Sequence, residues 1–277
     1  MSRGQRLTAA LAVAAAILLL GRAAAVFYSD REWYANLGAL SVWQSHVSSA
    51  AWMFGVALVV GIVFAWINVS AVRRSVVALI VPKRLGNVEF GEEVPSARLR
   101  LLTAAVSVGV AVASLAALPS WTTLALWRSD VTFAETDPYF TLDLSHFVTW
   151  LPLEIGAYQW AMALFAITAI LVVALYALTP SLSWDGRGVH VTPYARRHIS
   201  VLGAILLLFA AWGFRLDAFR ELIHGSGVDG MLTRTDHVWL IPSELALSLV
   251  AIGASVVLLV AGWRGQAPCT DSPPPRL

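Results

Sequence analysis

EIGAYQWAMALFAITAILVVALYAL, residues 154–178, decides the fold. Of its 25 residues only Glu154 is charged, and it stands at the very start. A helix of this length covers about 37 Å at 1.5 Å per residue, enough to cross a ~30 Å hydrocarbon layer. Five further stretches have a comparable character: about 7–27, 49–71, 100–119, 199–215 and 243–263. The fifth in chain order, 199–215, is the shortest and draws on Trp212, Gly213 and Phe214 at its end.

The composition fits such a chain. Hydrophobic residues make up 58% and charged residues only 13%, about half the charge of a soluble domain. Mean hydropathy is +0.71. The segments between the apolar stretches are too short to fold as independent soluble domains. The expected fold class is all-α: a polytopic transmembrane helix bundle of six spans, with short interfacial helices and one short cytoplasmic hairpin. One transmembrane domain, 1–265, precedes a tail, 266–277, whose Pro273-Pro274-Pro275 run predicts disorder.

Charge sorts by side. The N-terminus, the 72–100 region, the 180–198 loop and the tail hold 13 basic and 5 acidic residues, a balance of +8. The other connections hold 6 basic and 12 acidic residues, a balance of −6. The positive-inside rule makes the first side cytoplasmic, with both termini inside. Trp33, Trp43, Trp52, Trp121, Trp127, Trp150, Trp160, Trp212 and Trp239 then fall near the outer boundary, and Trp66, Trp184 and Trp263 near the inner one. This is the aromatic belt expected of indole rings at headgroup level.

The first stretch has a competing reading as a signal peptide, with Arg3 and Arg6 ahead of it and Ala23-Ala24-Ala25 as a cleavage site. Its apolar length exceeds a usual signal core, so a retained helix is expected. Arg22 then snorkels to the headgroups. Trp33, Leu37, Leu40 and Val47 approximate one helical face, which predicts a short helix on the outer surface. Asp137-Pro138 reads as the capped start of another, with Phe140, Leu144, Phe147 and Leu151 on one face and Pro152 closing it. Trp184 to Val191 reads as a turn with short flanking strands. The apolar run Val76–Val81 is too short to span and ends at Pro82.

Several motifs carry no chemistry. Gly225-Ser226-Gly227-Val228-Asp229-Gly230 matches a dinucleotide fingerprint in letters, but no strand leads into it and no helix follows to meet a pyrophosphate. Asn68-Val69-Ser70 is a glycosylation sequon at the cytoplasmic end of a span. Cys269 is the one cysteine, so no internal disulfide forms. The six histidines show no paired metal-ligand spacing. No cofactor, metal or catalytic residue is expected. The acids Asp137, Asp143, Asp217 and Asp236 lie close to predicted membrane boundaries. Their ordinary roles are helix capping and pairing with Arg215, Arg220 or Arg234. Their sharper role would be an outer-face cation or proton entry site, which requires them to converge.

Four passages carry a resemblance. They are Asp30-Arg31-Glu32-Trp33-Tyr34-Ala35-Asn36-Leu37-Gly38; Asp137-Pro138-Tyr139-Phe140 with Asp143 and Leu151-Pro152; Ala195 to Ser200 leading to Ala211-Trp212-Gly213-Phe214-Arg215-Leu216-Asp217; and Thr235-Asp236-His237 with Ile241-Pro242. In this order the chain resembles the N-terminal membrane region of uncharacterised protein family 0182, bacterial multi-pass membrane proteins. The resemblance implies seven membrane helices followed by a large extracytoplasmic region, so a chain of six spans is expected to be a truncated product. Asn36 stands where the family usually has an acid. The family has no established activity, so the resemblance implies location and architecture. The resulting expectation is a non-enzymatic membrane anchor or scaffold of the bacterial cell envelope, in the cytoplasmic membrane. Its expected partners are the lipid bilayer and other envelope proteins, with no nucleic acid. The alternative is a transporter or transporter subunit.

Overall fold

The computed structural model describes residues 3–80, 96–179, 181–184 and 189–264. The tail expected over 266–277, Pro82, and the Asp185–Gly188 centre of the expected turn lie outside these residues. The elements in chain order are α1 (Arg3–Asn36), α2 (Leu40–Ile80), α3 (Ser96–Ser114), α4 (Trp121–Arg128), α5 (Leu151–Ala177), β1 (Leu182–Trp184), β2 (Val189–Val191), α6 (Pro193–Ile223) and α7 (Ile241–Arg264). One-turn π-helical segments, His146–Trp150 and Asp236–Leu240, lead into α5 and α7. Among the described residues, six helices are long and apolar enough to cross a membrane: Leu7–Asn36, Leu40–Ser75, Ala97–Ala117, His146–Ala177, Pro193–Ile223 and Asp236–Arg264. They correspond one for one to the stretches read from the sequence, most of them longer. The fold is the all-α bundle expected.

The chain divides into two compact units, one of residues 1–54 and 120–150, the other of 55–119 and 151–277. In the first, α1 and the start of α2 are joined by a tight reversal. Gly38 takes φ +68°, its N–H bonds to the Ala35 carbonyl at 3.0 Å, and the Ala39 N–H reaches back to Tyr34 at 2.9 Å. These are the two bonds of a Schellman C-cap, which needs a residue without a Cβ penalty. The short surface helix expected from Trp33 is therefore absent. Trp33 belongs to α1, and Leu40 and Val47 to α2. Likewise Val76–Ile80 is the end of α2 rather than a separate segment.

The short helix expected after Asp137-Pro138 is also corrected. Asp137 closes a turn instead of starting a helix, and Thr141 at φ +57° interrupts helical continuity. The helix begins past Asp143, and Pro152 lies in the first turn of α5 rather than closing a segment. The wider turn at His146–Trp150 accommodates the N–H that Pro152 lacks. A short helix forms earlier, as α4, where Ser120 caps the Thr122 N–H. His46 stacks on Trp121 at 4.5 Å, and Arg128 donates to Ser49 Oγ at 3.3 Å.

The second unit is built on α6 and α7, which run antiparallel. Ser200 opposes Gly262, Leu258 opposes Gly203, and Ser248 Oγ donates to the Ala211 carbonyl at 2.8 Å. Lipid tails remove the hydrophobic drive between helices, so close approach at small residues and hydrogen bonds between helices hold the pair together. On α3, Ala111 meets Gly61 of α2, and Ser114 Oγ accepts from Trp160 Nε1 of α5 at 3.3 Å. Val72, Phe165, Val172, Tyr176, Ala195 and Leu202 form a buried cluster among α2, α5 and α6. The hairpin follows α5, with β1 and β2 antiparallel and Trp184 opposite Val189.

These contacts make the glycines unequal. A Cβ at Gly262 would run into Ser200, and one at Gly156 into Pro119, whereas Gly253 has open space around it. Gly262→Leu should destabilise the α6–α7 pair by about 1–3 kcal/mol. Gly253→Leu should change little. Detergent-titrated unfolding of the purified protein, with Gly253→Leu as the reference, measures the difference.

Candidate functional site

The four boundary aspartates are the residues singled out by sequence, and three of them are spent on backbone. Asp137 is 4% exposed. Its Oδ1 accepts from the Tyr139 and Phe140 N–H groups at 2.8 and 2.7 Å, and its Oδ2 from Leu142 at 2.9 Å. Asp143 accepts from Phe133 at 3.2 Å, Ala134 at 2.9 Å and Ser145 at 2.8 Å. It thereby caps the helix ahead and pins residues 133–134 behind. Ala134 itself sits at φ +57°, a conformation that costs about 1–3 kcal/mol and persists only where its surroundings impose it. Asp236 is fully buried. It accepts from the Ser226 and Thr233 N–H groups at 2.9 and 2.8 Å and from Ser226 Oγ at 2.6 Å. Asp217 instead pairs with Arg220 at 2.6 Å on the exposed side of α6.

Asp137 and Asp143 share one loop of the first unit, where Thr136 and Asp143 also form an isolated bridge. Asp217 and Asp236 belong to the second unit. The glycines of the apparent dinucleotide fingerprint serve the loop that Asp236 closes. Gly225 N–H bonds to the Gly230 carbonyl and Gly227 N–H to Met231, both at 3.0 Å. A Cβ at Gly225 would strike the Met231–Leu232 backbone. The segment before them is α6 and the one after is a single 3₁₀ turn, so no pyrophosphate cradle forms.

The more concentrated chemistry lies on α6, at residues the sequence reading did not propose as a site. Glu154, at the start of α5, accepts on one oxygen from Arg215 and from Trp212 Nε1, the latter at 2.9 Å. Arg215 also lies 5.4 Å from the Phe219 ring centre. Trp212, Arg215, Leu208, Ala211, Ser248 and Ile252 line a shallow cleft of about 250 Å³ between α6 and α7. Glu244, at the matching start of α7, has Asp217 and Glu221 as charged neighbours. Its Oε2 is shielded and has no hydrogen-bond partner among the described residues. The available signal was the recurrence of Pro152 with Glu154 and Pro242 with Glu244.

At the opposite end of α6 is a second polar group. Asn68 Nδ2 donates to the Phe64 carbonyl at 2.8 Å, which turns Oδ1 toward His198. His198 Nε2 lies 3.0 Å from that oxygen and so carries the proton. Nδ1 is then an acceptor, and the Tyr176 hydroxyl donates to it at 2.8 Å. This neutral chain ties α2, α6 and α5 together. Among the described residues, no three His, Cys, Asp or Glu side chains are grouped to hold a metal ion.

Two outcomes follow. The Ser145 hydroxyl and N–H, then the Phe133 and Ala134 N–H groups, hold the Asp143 carboxyl down at about 2, against 3.8 in its ordinary state. A depressed carboxyl adds stability above its unfolded value and loses it as pH falls through the folded one. Amide exchange at Phe133 and Ala134 should therefore accelerate as pH drops from about 4 toward 2, after correction for intrinsic rates, and Asp143→Asn should remove that pH dependence. In the second network, Asn68→Leu and His198→Leu should each destabilise the protein. A double-mutant cycle should return a coupling of about 1 kcal/mol, read from unfolding midpoints.

Comparison with known proteins shows the family of this chain. Residues 7–271 match the uncharacterised protein family UPF0182. A UPF0182 protein of Leifsonia xyli subsp. xyli is 27% identical over 261 residues, 92% of this chain and 26% of its own length. One from Nocardioides sp. is 28% identical over 270 residues, 94% of this chain and 27% of its own. One from Synechococcus sp. strain JA-2-3B'a(2-13) is 30% identical over 206 residues, 74% and 22% respectively. The chain thus spans about a quarter of the length of the curated relatives it matches. No solved structure matches it. With the match running through all six apolar helices, the chain belongs to the uncharacterised protein family UPF0182.

Proposed function

We propose that this chain is a non-enzymatic membrane anchor or scaffold of the bacterial cell envelope. The observation that carries the reading is the use of Asp137, Asp143 and Asp236 as backbone caps. Carboxylates whose lone pairs hold turns shut are poorly placed to pass cations or protons, and they make the loops fixed surfaces instead. The charge balance of +8 against −6 between alternate connections supports a cytoplasmic-membrane protein with both termini in the cytoplasm. In that orientation the aspartate-capped loops form the outer surface. Its partners are the lipid bilayer and other envelope proteins.

A second reading, a transporter or transporter subunit, draws on Glu154, Arg215 and Glu244. These ionisable groups lie inside candidate spans, where such residues mark substrate paths more often than elsewhere. Proteoliposomes separate the two readings. As an anchor, the reconstituted protein should give no proton or monovalent-cation flux above protein-free vesicles. Flux that Glu154→Gln or Asp236→Asn abolishes would overturn the anchor. Orientation is read in a Cys269→Ser background: Val228→Cys should react with an impermeant maleimide on intact cells, and Tyr194→Cys only after permeabilisation.

A further inference from the structure

Within the second unit, four helices deliver arginines to one end. Asn68 of α2 meets His198 of α6 at 3.0 Å, and Val72 shares a cluster with Ala195, so the two helices run antiparallel there. Arg74 and Arg197 both lie beyond that contact in the same direction. Gly262 of α7 opposes Ser200, which brings Arg264 level with Arg197. Gly61 of α2 opposes Ala111 of α3, and Ala65 joins Val110 and Val106. Arg74 is thirteen residues past Gly61 and Arg100 eleven before Ala111, so they emerge at the same end, with Arg98 two residues further out. Arg74, Arg98, Arg100, Arg197 and Arg264 are all exposed. None forms an ion pair with another described residue.

The described acids of the unit, Glu154, Asp217, Glu221, Asp229, Asp236 and Glu244, lie toward its other end. Asp217 is twenty residues along α6 from Arg197, about 30 Å, well beyond a ~10 Å screening length. Over the full connections at the arginine end, 72–100, 180–198 and 264–277, basic residues outnumber acidic ones by 11 to 5. Exposed aromatic residues stand at the same level: Trp66 beside Asn68, Tyr194 in the first turn of α6, and Trp263 next to Arg264. Exposed apolar side chains such as Ile67, Leu206 and Val257 follow on the helix sides. Rings with an apolar body and a polar edge favour lipid headgroups. A collar of this kind around the cations suits a phospholipid rather than a soluble acidic partner.

We propose that the arginine-bearing end of this unit binds anionic phospholipid headgroups and selects them over zwitterionic ones. The inference rests on the membrane reading above and adds the class of lipid. A guanidinium offers a planar fork of N–H donors that fits a phosphate. In a zwitterionic headgroup the amine offsets that phosphate, so the arginines gain little from it. Each exposed basic residue at an anionic lipid surface is worth about a fivefold gain.

The test reconstitutes the full chain into phosphatidylcholine membranes doped with spin-labelled phosphatidylglycerol or spin-labelled phosphatidylcholine. The fraction of each label held immobile by the protein is read from its paramagnetic resonance spectrum. The wild type should retain phosphatidylglycerol over phosphatidylcholine by about fivefold or more. That preference should fade in about 1 M salt, where the screening length falls to about 3 Å. Replacing one arginine per helix, as Arg74→Gln, Arg100→Gln, Arg197→Gln and Arg264→Gln together, should bring the ratio to about one. Lysine at the same four positions should keep the preference, and so should Arg220→Gln with Arg234→Gln at the other end. Equal retention of the two lipids by the wild type, or a preference that the glutamine variant keeps, would overturn the proposal and leave the membrane reading standing. Loss of the preference in the lysine variant would also overturn it. No immobile fraction with either lipid would overturn the membrane reading and the proposal together.

Discussion

Hydrocarbon offers a backbone no hydrogen-bond partners, and that constraint governs this chain from end to end. Within the six apolar helices every peptide group is satisfied by the helix itself. The difficulty moves to the places where the chain leaves one helix and enters the next. There the last carbonyls of one helix and the first N–H groups of the next have no partner within a helix. Asp137, Asp143 and Asp236 resolve it by taking two or three N–H groups each. A single carboxylate satisfying several donors lets a short connection fold on itself close to the membrane. It also explains why backbone conformations as unfavourable as those of Ala134 and Thr141 persist.

Helix association answers to the same solvent. Apolar side chains gain little by leaving lipid for protein, so the contacts of the second unit rest on close approach and on polar links. Gly262 against Ser200 and Gly203 against Leu258 bring α6 and α7 together. Ser248 on Ala211, Trp160 on Ser114, and the Asn68–His198–Tyr176 chain add hydrogen bonds between helices. Each polar link is modest by itself, and each fixes the register of the pair it joins.

The approaches to α5 and α7 repeat one arrangement. Each has an aspartate-capped loop, a five-residue π turn, a proline in the following turn, and a glutamate two residues beyond. Pro152 and Glu154 in the first correspond to Pro242 and Glu244 in the second. The two copies diverge at the glutamate. Glu154 meets Arg215 and Trp212, and Glu244 meets further acids. A recurrent local device has thus been closed electrostatically on one side of α6 and left open on the other.

The sequence by itself determined the six spans, because a run of some twenty apolar residues has one stable state in hydrocarbon. Charge patterning likewise separated the connections into a basic and an acidic set, and family membership was legible in passages such as Ala211–Asp217 and Asp137–Phe140. The turns were less legible. Asp137-Pro138 carries a helix-start signal, yet the same carboxylate can close a turn, and a contact five residues away at Leu142 decides between them. Periodicity from Trp33 to Val47 runs across the Gly38 reversal, so two helices looked like one face of a third. Only the tertiary structure decided which ionisable groups find partners. Glu154 and Arg215 are 61 positions apart, and His198 and Asn68 are 130 apart. Whether a charge inside a span is matched depends on the packing of helices distant in sequence, and local pattern carries no record of that distance.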